Sequence, residues 1–436
     1  MTGGLIMLDE TVVGVALPTM RRDLGLSELT SHWVINAYML LFTACAVAGG
    51  KFGDMVGVGR VFLLGMAVFG LASLAAGFAG NGATLVAVRA VQGLGAAAIF
   101  PATIALVMAV FPTEERGKAL GILAAIATSF LALGPLIGGL FTEAVSWRWI
   151  FWVNVPVVLL ASLVMVMVWA EPPRQDKHPR FDVAGLITLV ASLSLLVFGT
   201  MQGSDWGWSD PLVVASLVCG LVVLGAFVRI EARRDLPLIE VSLFKIASFS
   251  ACNAMLFAGQ FSKLAIVVFG ALYLQHKLGM GPLVAGLALL AAVAPFPILS
   301  APVGRLADNW GARPLVMIGL TLATCAMFAL ALVIPWNSYL WLLPGLVLWG
   351  CGLSLCYSPI LRAMANTVPE DMQGQCSGIG ITSRLLGGTV GVAIGSVLLA
   401  ITADYQYVFL LTAGVMLASL LFGWLALDRK TSTRDS

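Results

Sequence analysis

The stretch Gly50-Lys51-Phe52-Gly53-Asp54-Met55-Val56-Gly57 is a short hydrophilic segment between two long apolar stretches. The pattern returns as Gly304-Arg305-Leu306-Ala307-Asp308-Asn309-Trp310-Gly311, which lies 254 residues further along the chain. Both copies read glycine, basic, apolar, small, aspartate, two variable residues and glycine. A turn that recurs at this distance predicts a chain built from two similar halves.

A second set of matches has nearly the same spacing. Pro112, Gly117, Gly121 and Gly138 recur 257 residues later as Pro369, Gly374, Gly378 and Gly395. Helices 1–6 are therefore predicted to correspond to helices 9–14, with helices 7 and 8 outside the repeat. The predicted organisation is an N-terminal six-helix bundle (1–170), a linker with two additional transmembrane helices (171–245), a C-terminal six-helix bundle (246–428) and a cytoplasmic tail (429–436).

The composition places the chain in a membrane. Of 436 residues, 60% are hydrophobic and 11% are charged, whereas a soluble domain carries about 25% charged residues. Windows of about 20 apolar residues predict fourteen transmembrane helices. The predicted fold class is all-α integral membrane, with two six-helix bundles and two extra helices between them. Parallel six-helix repeats around a substrate path are typical of transporters.

The basic residues predict the orientation. Seventeen of the 24 Lys and Arg residues lie in even-numbered connections or at the C-terminus. By the positive-inside rule, both termini face the cytoplasm, in a cell (inner) membrane. The first predicted helix, 3–20, is short for a span, which fits a start placed too far downstream or a clipped helix 1.

Other function classes find little support. A net charge of +2 gives no case for a nucleic-acid partner. The seven cysteines lie in or beside apolar runs without a C-x-x-C pair, which favours buried thiols over a metal or redox site. The three histidines, His32, His178 and His276, lie at span edges or in loops. We expect no enzyme activity, no metal and no cofactor.

Five motifs in order along the chain resemble those of the major facilitator superfamily, specifically its fourteen-helix drug:proton antiporter branch. They are Leu8-Asp9-Glu10-Thr11-Val12-Val13-Gly14-Val15-Ala16-Leu17-Pro18, Gly50 to Gly57, Arg89-Ala90-Val91-Gln92-Gly93-Leu94-Gly95, Gly134-Pro135-Leu136-Ile137-Gly138-Gly139, and Trp147-Arg148-Trp149-Ile150-Phe151-Trp152-Val153-Asn154-Val155-Pro156. All five lie between residues 8 and 156. The resemblance implies the two-bundle fold, alternating access, export of small lipophilic or cationic compounds, and a monomer driven by the proton motive force.

Asp9 is the candidate proton site, with its neighbour Glu10 second. A carboxylate within a span costs about 2.5–3.5 kcal/mol on insertion scales, so it needs a reason. Desolvation favours the protonated form of a carboxyl group, which suits proton uptake and release. Arg89 cannot itself carry the proton, but the resemblance implies a role in coupling. The alternative for Asp9 is a carboxylate paired with a basic residue for assembly only. The alternative for Arg89 is a structural clamp on backbone carbonyls of helix 1.

Gly134, Pro135, Gly138 and Gly139 are predicted to make helix 5 a bendable helix with a small face. Proline removes a backbone hydrogen bond, and glycine lets another helix approach closely. The resemblance implies gating and antiport. Ordinary small-residue packing is the alternative.

The repeated hydrophilic segment is predicted to be a tight cytoplasmic turn that latches helix ends. The residues involved are Gly50, Gly53, Asp54, Gly57 and Arg60, with Gly304, Arg305, Asp308 and Gly311 in the second copy. The aspartate is expected to cap a neighbouring helix or to meet a basic residue. Met55 and Val58 stand where the family has arginines, so Arg60 is the expected basic partner. The alternative is a solvated turn.

Polar residues on several spans are candidates for lining a cavity. They are Asn36, Tyr38, Gln92, Asn253, Gln260, Lys263, Trp349 and Tyr357. Lys263 would attract an anionic substrate, pair with Asp9 or Glu10, or extend to an interface. Arg384 in helix 13 has similar alternatives, with packing between the halves favoured. Plain helix packing is the alternative for the others.

The sequence therefore predicts a proton-coupled efflux transporter whose partners are a small-molecule substrate, protons and the lipid bilayer. A narrow-specificity transporter of a metabolite or anionic solute is the second reading, because of Lys263. A non-transporting membrane sensor or scaffold is the third, although the chain has no large soluble domain.

Overall fold

The computed structural model describes residues 2–112, 115–170, 182–234, 237, 239–280, 282–369 and 372–427, and all regular structure in these ranges is helical. The first part contains α1 (Thr2–Leu24), α2 (Glu28–Val56), α3 (Val58–Gly77), α4 (Gly82–Val110), α5 (Arg116–Ala144), α6 (Trp149–Trp152) and α7 (Asn154–Val168). The middle part contains α8 (Val183–Trp206) and α9 (Pro211–Glu231). The predicted tail, 429–436, and the beginning of the predicted linker, 171–181, lie outside the described residues.

The last part begins with a short 3₁₀ turn, Val241–Lys245. Its helices are α10 (Ala247–Leu264), α11 (Ala271–His276), α12 (Pro282–Val293), α13 (Pro295–Trp310), α14 (Ala312–Val333), α15 (Tyr339–Ser354), α16 (Tyr357–Ala365), α17 (Gln373–Thr402) and α18 (Tyr405–Ala426). A π-helical segment, Ala265–Gly270, joins α10 to α11, and the 3₁₀ turn Ile334–Trp336 ends α14. Some of these helices are segments of a longer helical rod that could span a membrane. α12 and α13 form one such rod, and α15 and α16 form another.

Twelve helical rods in the described part of the chain are long and apolar enough to cross a membrane. The set leaves out α1 and α5, which contain 23 and 29 residues. The predicted membrane class is confirmed, but length and composition do not establish the predicted count of fourteen. α1 is also longer than predicted, because it continues to Leu24 and reaches about 35 Å at 1.5 Å per residue.

Polar side chains at the helix starts explain where several rods begin. Ser27 accepts a hydrogen bond from the Thr30 N–H, Asn81 from that of Thr84 and Asp404 from that of Gln406. The first turn of an α-helix leaves backbone N–H groups without partners in the helix, and these caps satisfy some of them. In the apolar interior of a bilayer such groups would have no water to bind.

α8 and α9 form a hairpin outside the repeated halves. They pack against each other, and α8 also contacts α2 and α17. Only 17% of the α9 window is buried, the smallest share among the twelve rods, so this helix lies at the periphery. At one end of the hairpin, Arg234 Nη1 pairs with Asp182 Oδ1 at 2.6 Å.

The two halves meet at two symmetric helix crossings, α2 with α17 and α5 with α13. The sequence repeat relates α2 to α13 and α5 to α17, so the two crossings are equivalent. At the first, a Cβ on Gly50 would collide with the backbone oxygen of Gly374. At the second, a Cβ on Gly304 would collide with that of Gly117. Glycine is therefore required where these backbones touch. We call the end of the molecule that carries Asp54 and Asp308 the loop-motif end.

The repeated segment itself differs from the prediction of a tight turn. Gly50 to Val56 are the last residues of α2, and Gly304 to Trp310 are the last residues of α13. The chain turns only at Gly57 (φ 108°) and Gly311 (φ 81°). A positive φ at these two glycines ends each helix, whereas Gly50 and Gly304 serve the contact between the halves.

Alanine substitutions in this segment should separate the two uses of glycine. Gly50→Ala is expected to destabilise the protein by about 1–3 kcal/mol through overpacking. Gly53→Ala is the matched control, since a Cβ there would lie 3.9 Å from its nearest neighbour, Val58 Cα. It should be neutral or stabilising by up to about 1 kcal/mol. Thermal unfolding of the purified variants measures both, and equal losses would contradict the close crossing.

Candidate functional site

Asp9 and Arg89 form a fully buried ion pair inside the first half. Arg89 Nη1 donates to Asp9 Oδ2 at 2.5 Å, and the exposed fractions of the two side chains are 1% and 0%. Asp9 lies in α1 and Arg89 in α4, so the pair joins two helices that are distant in sequence. A buried pair of this kind is retained only when further hydrogen bonds satisfy both partners.

Three neutral residues complete the cluster around Asp9. Gln92 Nε2 donates to Asp9 Oδ1 at 3.0 Å and to Ser73 Oγ at 2.8 Å. Asn154 Nδ2 donates to the same Asp9 oxygen at 3.4 Å and to Ser73 Oγ at 3.1 Å. All are buried. The cluster thus draws on α1, α3, α4 and α7, and it ties this half together.

Arg89 is held on its other sides as well. Its Nη1 donates to Gln92 Oε1 at 2.6 Å, and its Nε donates to the Val34 carbonyl oxygen at 3.0 Å. The guanidinium lies 4.3 Å from the centre of the Tyr38 ring and 5.8 Å from that of Phe151. The clamp on a backbone carbonyl expected as an alternative role is present, but on α2 and not on α1.

Two members of the cluster were not predicted as site residues. Asn154 lies in the quoted stretch Trp147 to Pro156, where a polar residue in an apolar span was the available signal. Ser73 offers no comparable signal, because a single serine in a span is ordinary. The side chain of Glu10, the second proton candidate, lies outside the described residues.

The glycines of α5 lie directly against α1. A Cβ on Gly134 would collide with Thr11 Oγ1, and one on Gly138 would come within 2.9 Å of the Val12 carbonyl oxygen. Gly139 has nothing within 4 Å of that position, so it is not part of the contact. The side chain of Pro135 lies outside the described residues. The small face of α5 therefore packs on the helix that carries Asp9.

Each repeated aspartate caps a helix of the opposite half. Asp54 accepts hydrogen bonds from the N–H groups of Gly374 (2.7 Å) and Gln375 (2.6 Å), in the first turn of α17. Asp308 accepts from those of Gly117 (2.9 Å) and Lys118 (2.8 Å), in the first turn of α5. A carboxylate here satisfies free N–H groups and complements the positive end of the helix dipole. We call these contacts the reciprocal caps.

The basic partner of the second cap was not predicted. Arg362 Nη1 pairs with Asp308 Oδ1 at 2.9 Å and donates to the Ala307 carbonyl oxygen at 2.5 Å. The expected partner of the first cap, Arg60, is exposed and makes no described contact with Asp54. Arg60 lies in the first turn of the next helix, α3, on its exposed side. Both carboxylate oxygens of Asp54 accept hydrogen bonds from N–H groups of α17. Arg305 of the second copy is likewise exposed.

A cavity lies mostly in the second half. Four of the eight predicted lining residues are on its wall: Gln260, Lys263, Trp349 and Tyr357. Arg384 is also on the wall, and Ala124 and Thr128 of α5 close it from the first half.

The other four predicted lining residues lie elsewhere. Tyr38 and Gln92 belong to the Asp9 cluster. Asn253 is buried and donates to the Phe249 carbonyl oxygen, and it accepts from Ser383 Oγ at 2.9 Å. Asn36 is half-buried on α2 and is not on the wall of this cavity. Sequence periodicity places a residue on a helix but does not say which neighbouring helix covers that face.

The chain is similar to known proteins in both sequence and fold. The family model described as Major Facilitator Superfamily matches residues 1–388 and 251–436. The chain is 33% identical over 398 residues to the multidrug resistance protein Stp of Mycobacterium tuberculosis, covering 91% of this chain and 74% of that protein. It is 36% identical over 400 residues to the cephamycin export protein CmcT of Amycolatopsis lactamdurans, covering 89% and 81%. The proton:xylose symporter XylE has a similar fold, with a TM-score of 0.70 at 12% identity over 98% and 94% of the two chains.

Removing one partner of the buried pair should be far more costly than removing both. Arg89→Gln leaves Asp9 buried without its counter-charge, and we expect a loss of about 3–5 kcal/mol in unfolding free energy. Adding Asp9→Asn should recover part of that loss. Unfolding of the purified single and double variants in detergent measures the coupling.

The matched control is Arg148→Gln. Arg148 pairs with Asp23 at 2.7 Å, with exposed fractions of 29% and 45%, so its loss should cost about 1 kcal/mol or less. Strictly additive losses at positions 9 and 89 would show that the pair does not act as a unit.

Weakening the reciprocal caps should open the loop-motif end. Ser358 is buried there and donates to the Gly117 carbonyl oxygen at 3.3 Å. In a background without the seven native cysteines, Ser358→Cys is expected to react slowly with a maleimide. Asp54→Ala and Asp308→Ala should each raise that rate about tenfold, whereas Arg60→Ala and Arg305→Ala should not. Unchanged rates in both aspartate variants would show that the caps do not hold this end closed.

Proposed function

Because the chain belongs to the major facilitator superfamily, we propose that it is a proton-coupled exporter of small apolar organic compounds that works by alternating access. It is a transporter and not an enzyme, and members of this superfamily generally need no cofactor. Efflux is supported by the relatives, which are named as multidrug resistance and export proteins. Coupling to protons rests on the geometry around Asp9.

We further assign fourteen spans to the chain. Adding α1 and α5 to the twelve gives fourteen, since both are long enough to cross about 30 Å of hydrocarbon and they pack against each other. The assigned units are 1–170, 171–245, 246–428 and a tail from 429, acting as a monomer. The distribution of Lys and Arg supports a loop-motif end and termini that face the cytoplasm of the cell.

The observation that carries the coupling proposal is the buried Asp9–Arg89 pair. Asp9 is the carboxylate of the cluster, and both of its oxygens accept hydrogen bonds from buried donors. Protonation of Asp9 would remove its charge and one acceptor site at once, which leaves Arg89 without its counter-charge. In a water-poor site this change is large enough to favour another arrangement of α1 and α4.

α5 can pass that rearrangement to the rest of the molecule. Near its start, Gly117 and Lys118 donate to Asp308 of the second half. Thr128 lies on the wall of the cavity. About 9 Å further along, Gly134 packs against Thr11 of α1, two residues from Asp9. One helix therefore contacts the helix that carries Asp9, the cavity and a reciprocal cap.

The proposed cycle alternates two states of the loop-motif end. In the state described here, the reciprocal caps and glycine crossings close that end while Asp9 is paired with Arg89. Proton uptake from outside neutralises Asp9 and loosens α1 against α5. The caps then break, substrate enters from the cytoplasm, and release of the proton inward restores the ion pair.

Proton movement in inside-out vesicles tests the coupling. Adding a transported compound to acid-loaded vesicles should release protons from the lumen, and Asp9→Asn should abolish that release while the protein remains folded. Asp210→Asn is the matched control, because Asp210 only caps α9 and asparagine caps equally well. Proton-driven transport that survives Asp9→Asn would exclude Asp9 as the proton site.

A further inference from the structure

Basic side chains lie on the wall of the cavity. Two basic residues, Lys263 and Arg384, line it together with the neutral polar residues Thr128, Gln260, Ser300 and Tyr357, and no Asp or Glu is among its described lining residues. The rest of the wall is apolar. A cationic side chain that faces such a space without a counter-charge produces a positive potential that a low-dielectric wall does not screen.

Arg384 is held by neutral partners. Its Nη1 donates to Tyr357 Oη at 3.1 Å, and its guanidinium lies 5.3 Å from the Phe100 ring centre and 5.6 Å from that of Tyr357. Its Nε is buried and has no hydrogen-bond partner among the described residues. Arginine stays protonated in such a site, so the charge remains.

Two arginines are buried in the described part of the chain, whereas Arg384 is half-buried, and both buried ones have carboxylate partners. Arg89 pairs with Asp9, and Arg362 pairs with Asp308. A buried charge is costly unless it is paired and fully hydrogen-bonded. Among these three, Arg384 is the one without a described carboxylate, and it is also the one that lines a cavity.

The remaining wall suits an apolar body. Phe296 and Trp349 lie side by side, with ring centres 5.9 Å apart, and Met255, Leu256 and Leu353 continue the apolar surface.

We propose that the cavity binds an amphipathic organic anion, with its carboxylate on Arg384 and its apolar body against Phe296 and Trp349. A planar guanidinium can donate two parallel hydrogen bonds to a carboxylate, and Arg384 has a neutral phenol and no described carboxylate as its partner. The assignment rests on the proposed function, because it takes this cavity as the substrate site.

Three ligands that share a naphthyl group and differ in charge test which charge the cavity prefers. They are 2-naphthylacetate, its neutral primary amide, and 2-(2-naphthyl)ethylammonium. Binding to the purified full chain is measured by calorimetry at pH 7.5. The acid is expected to bind at least tenfold tighter than the amide, and the cation more weakly than both. Equal affinities, or a preference for the cation, would overturn the proposal.

Substitutions test whether Arg384 is the residue that causes the preference for the acid. Arg384→Gln should remove the preference for acid over amide, Arg384→Lys should keep part of it, and Tyr357→Phe should preserve it. Arg229→Gln, at an exposed position on α9, is the matched control and should behave as the native chain. If Arg384→Gln does not fold, the lysine variant and the three-ligand comparison still decide. An undiminished acid preference in Arg384→Gln would overturn the assignment to this residue.

Transport of the same ligands separates this proposal from the proposed function. Acid-selective binding with no proton-coupled movement in vesicles would support the anion site while contradicting proton-coupled export. Proton-coupled export of the cation or the amide, without any acid preference, would support export while overturning the anion site.

Discussion

Two carboxylates that cap helices of the opposite half hold the loop-motif end together. The first turn of any helix leaves N–H groups that need acceptors, and near a bilayer such groups are expensive to leave unsatisfied. Here the acceptors for α17 and α5 come from Asp54 and Asp308, on helices of the other half. Separation of the halves therefore exposes four donors and two carboxylates together. Only water or another arrangement of the chain can satisfy them, which makes this end suited to two discrete states.

The glycine crossings explain why the caps reach their partners. Gly50 and Gly374 touch through their backbones, as do Gly304 and Gly117. Without side chains at these positions the helices approach closely enough for an aspartate one turn away to reach the N–H groups. A glycine crossing and an aspartate cap therefore occur together at both contacts between the halves. Arg362 adds an ion pair to the copy built on Asp308.

The buried cluster around Asp9 and the cavity lined by Arg384 show opposite uses of arginine. In the cluster, Arg89 has a carboxylate, a carbonyl oxygen and an amide oxygen as partners. At the cavity wall, Arg384 has a phenol and two aromatic faces. In the first arrangement Asp9 neutralises the charge of Arg89 inside the protein. In the second, Arg384 has only neutral described partners. α5 packs against the helix that carries Asp9 and also lines the cavity.

The sequence by itself determined the membrane class, the two related halves, the family and the residue types of the loop motif. These follow from composition, from repeated spacing and from motif order, which do not require knowledge of packing. It also singled out Asp9 and Arg89, because a charge in an apolar span is conspicuous wherever it points. The expected pairing of Asp54 with Arg60 failed, since sequence neighbours need not face each other around a helix end.

Only the tertiary structure decided which partners those residues have. Gly374 and Gln375 lie more than 300 positions from Asp54, and their N–H groups carry no side-chain signal. Ser73 and Asn154 join the Asp9 cluster because α3 and α7 pack against each other, with α7 also reaching α1. The cavity likewise arises from the way six helices of one half and α5 of the other leave space between them. Hydrogen bonds and cavities depend on which helix faces meet, and periodicity along a single helix does not contain that information.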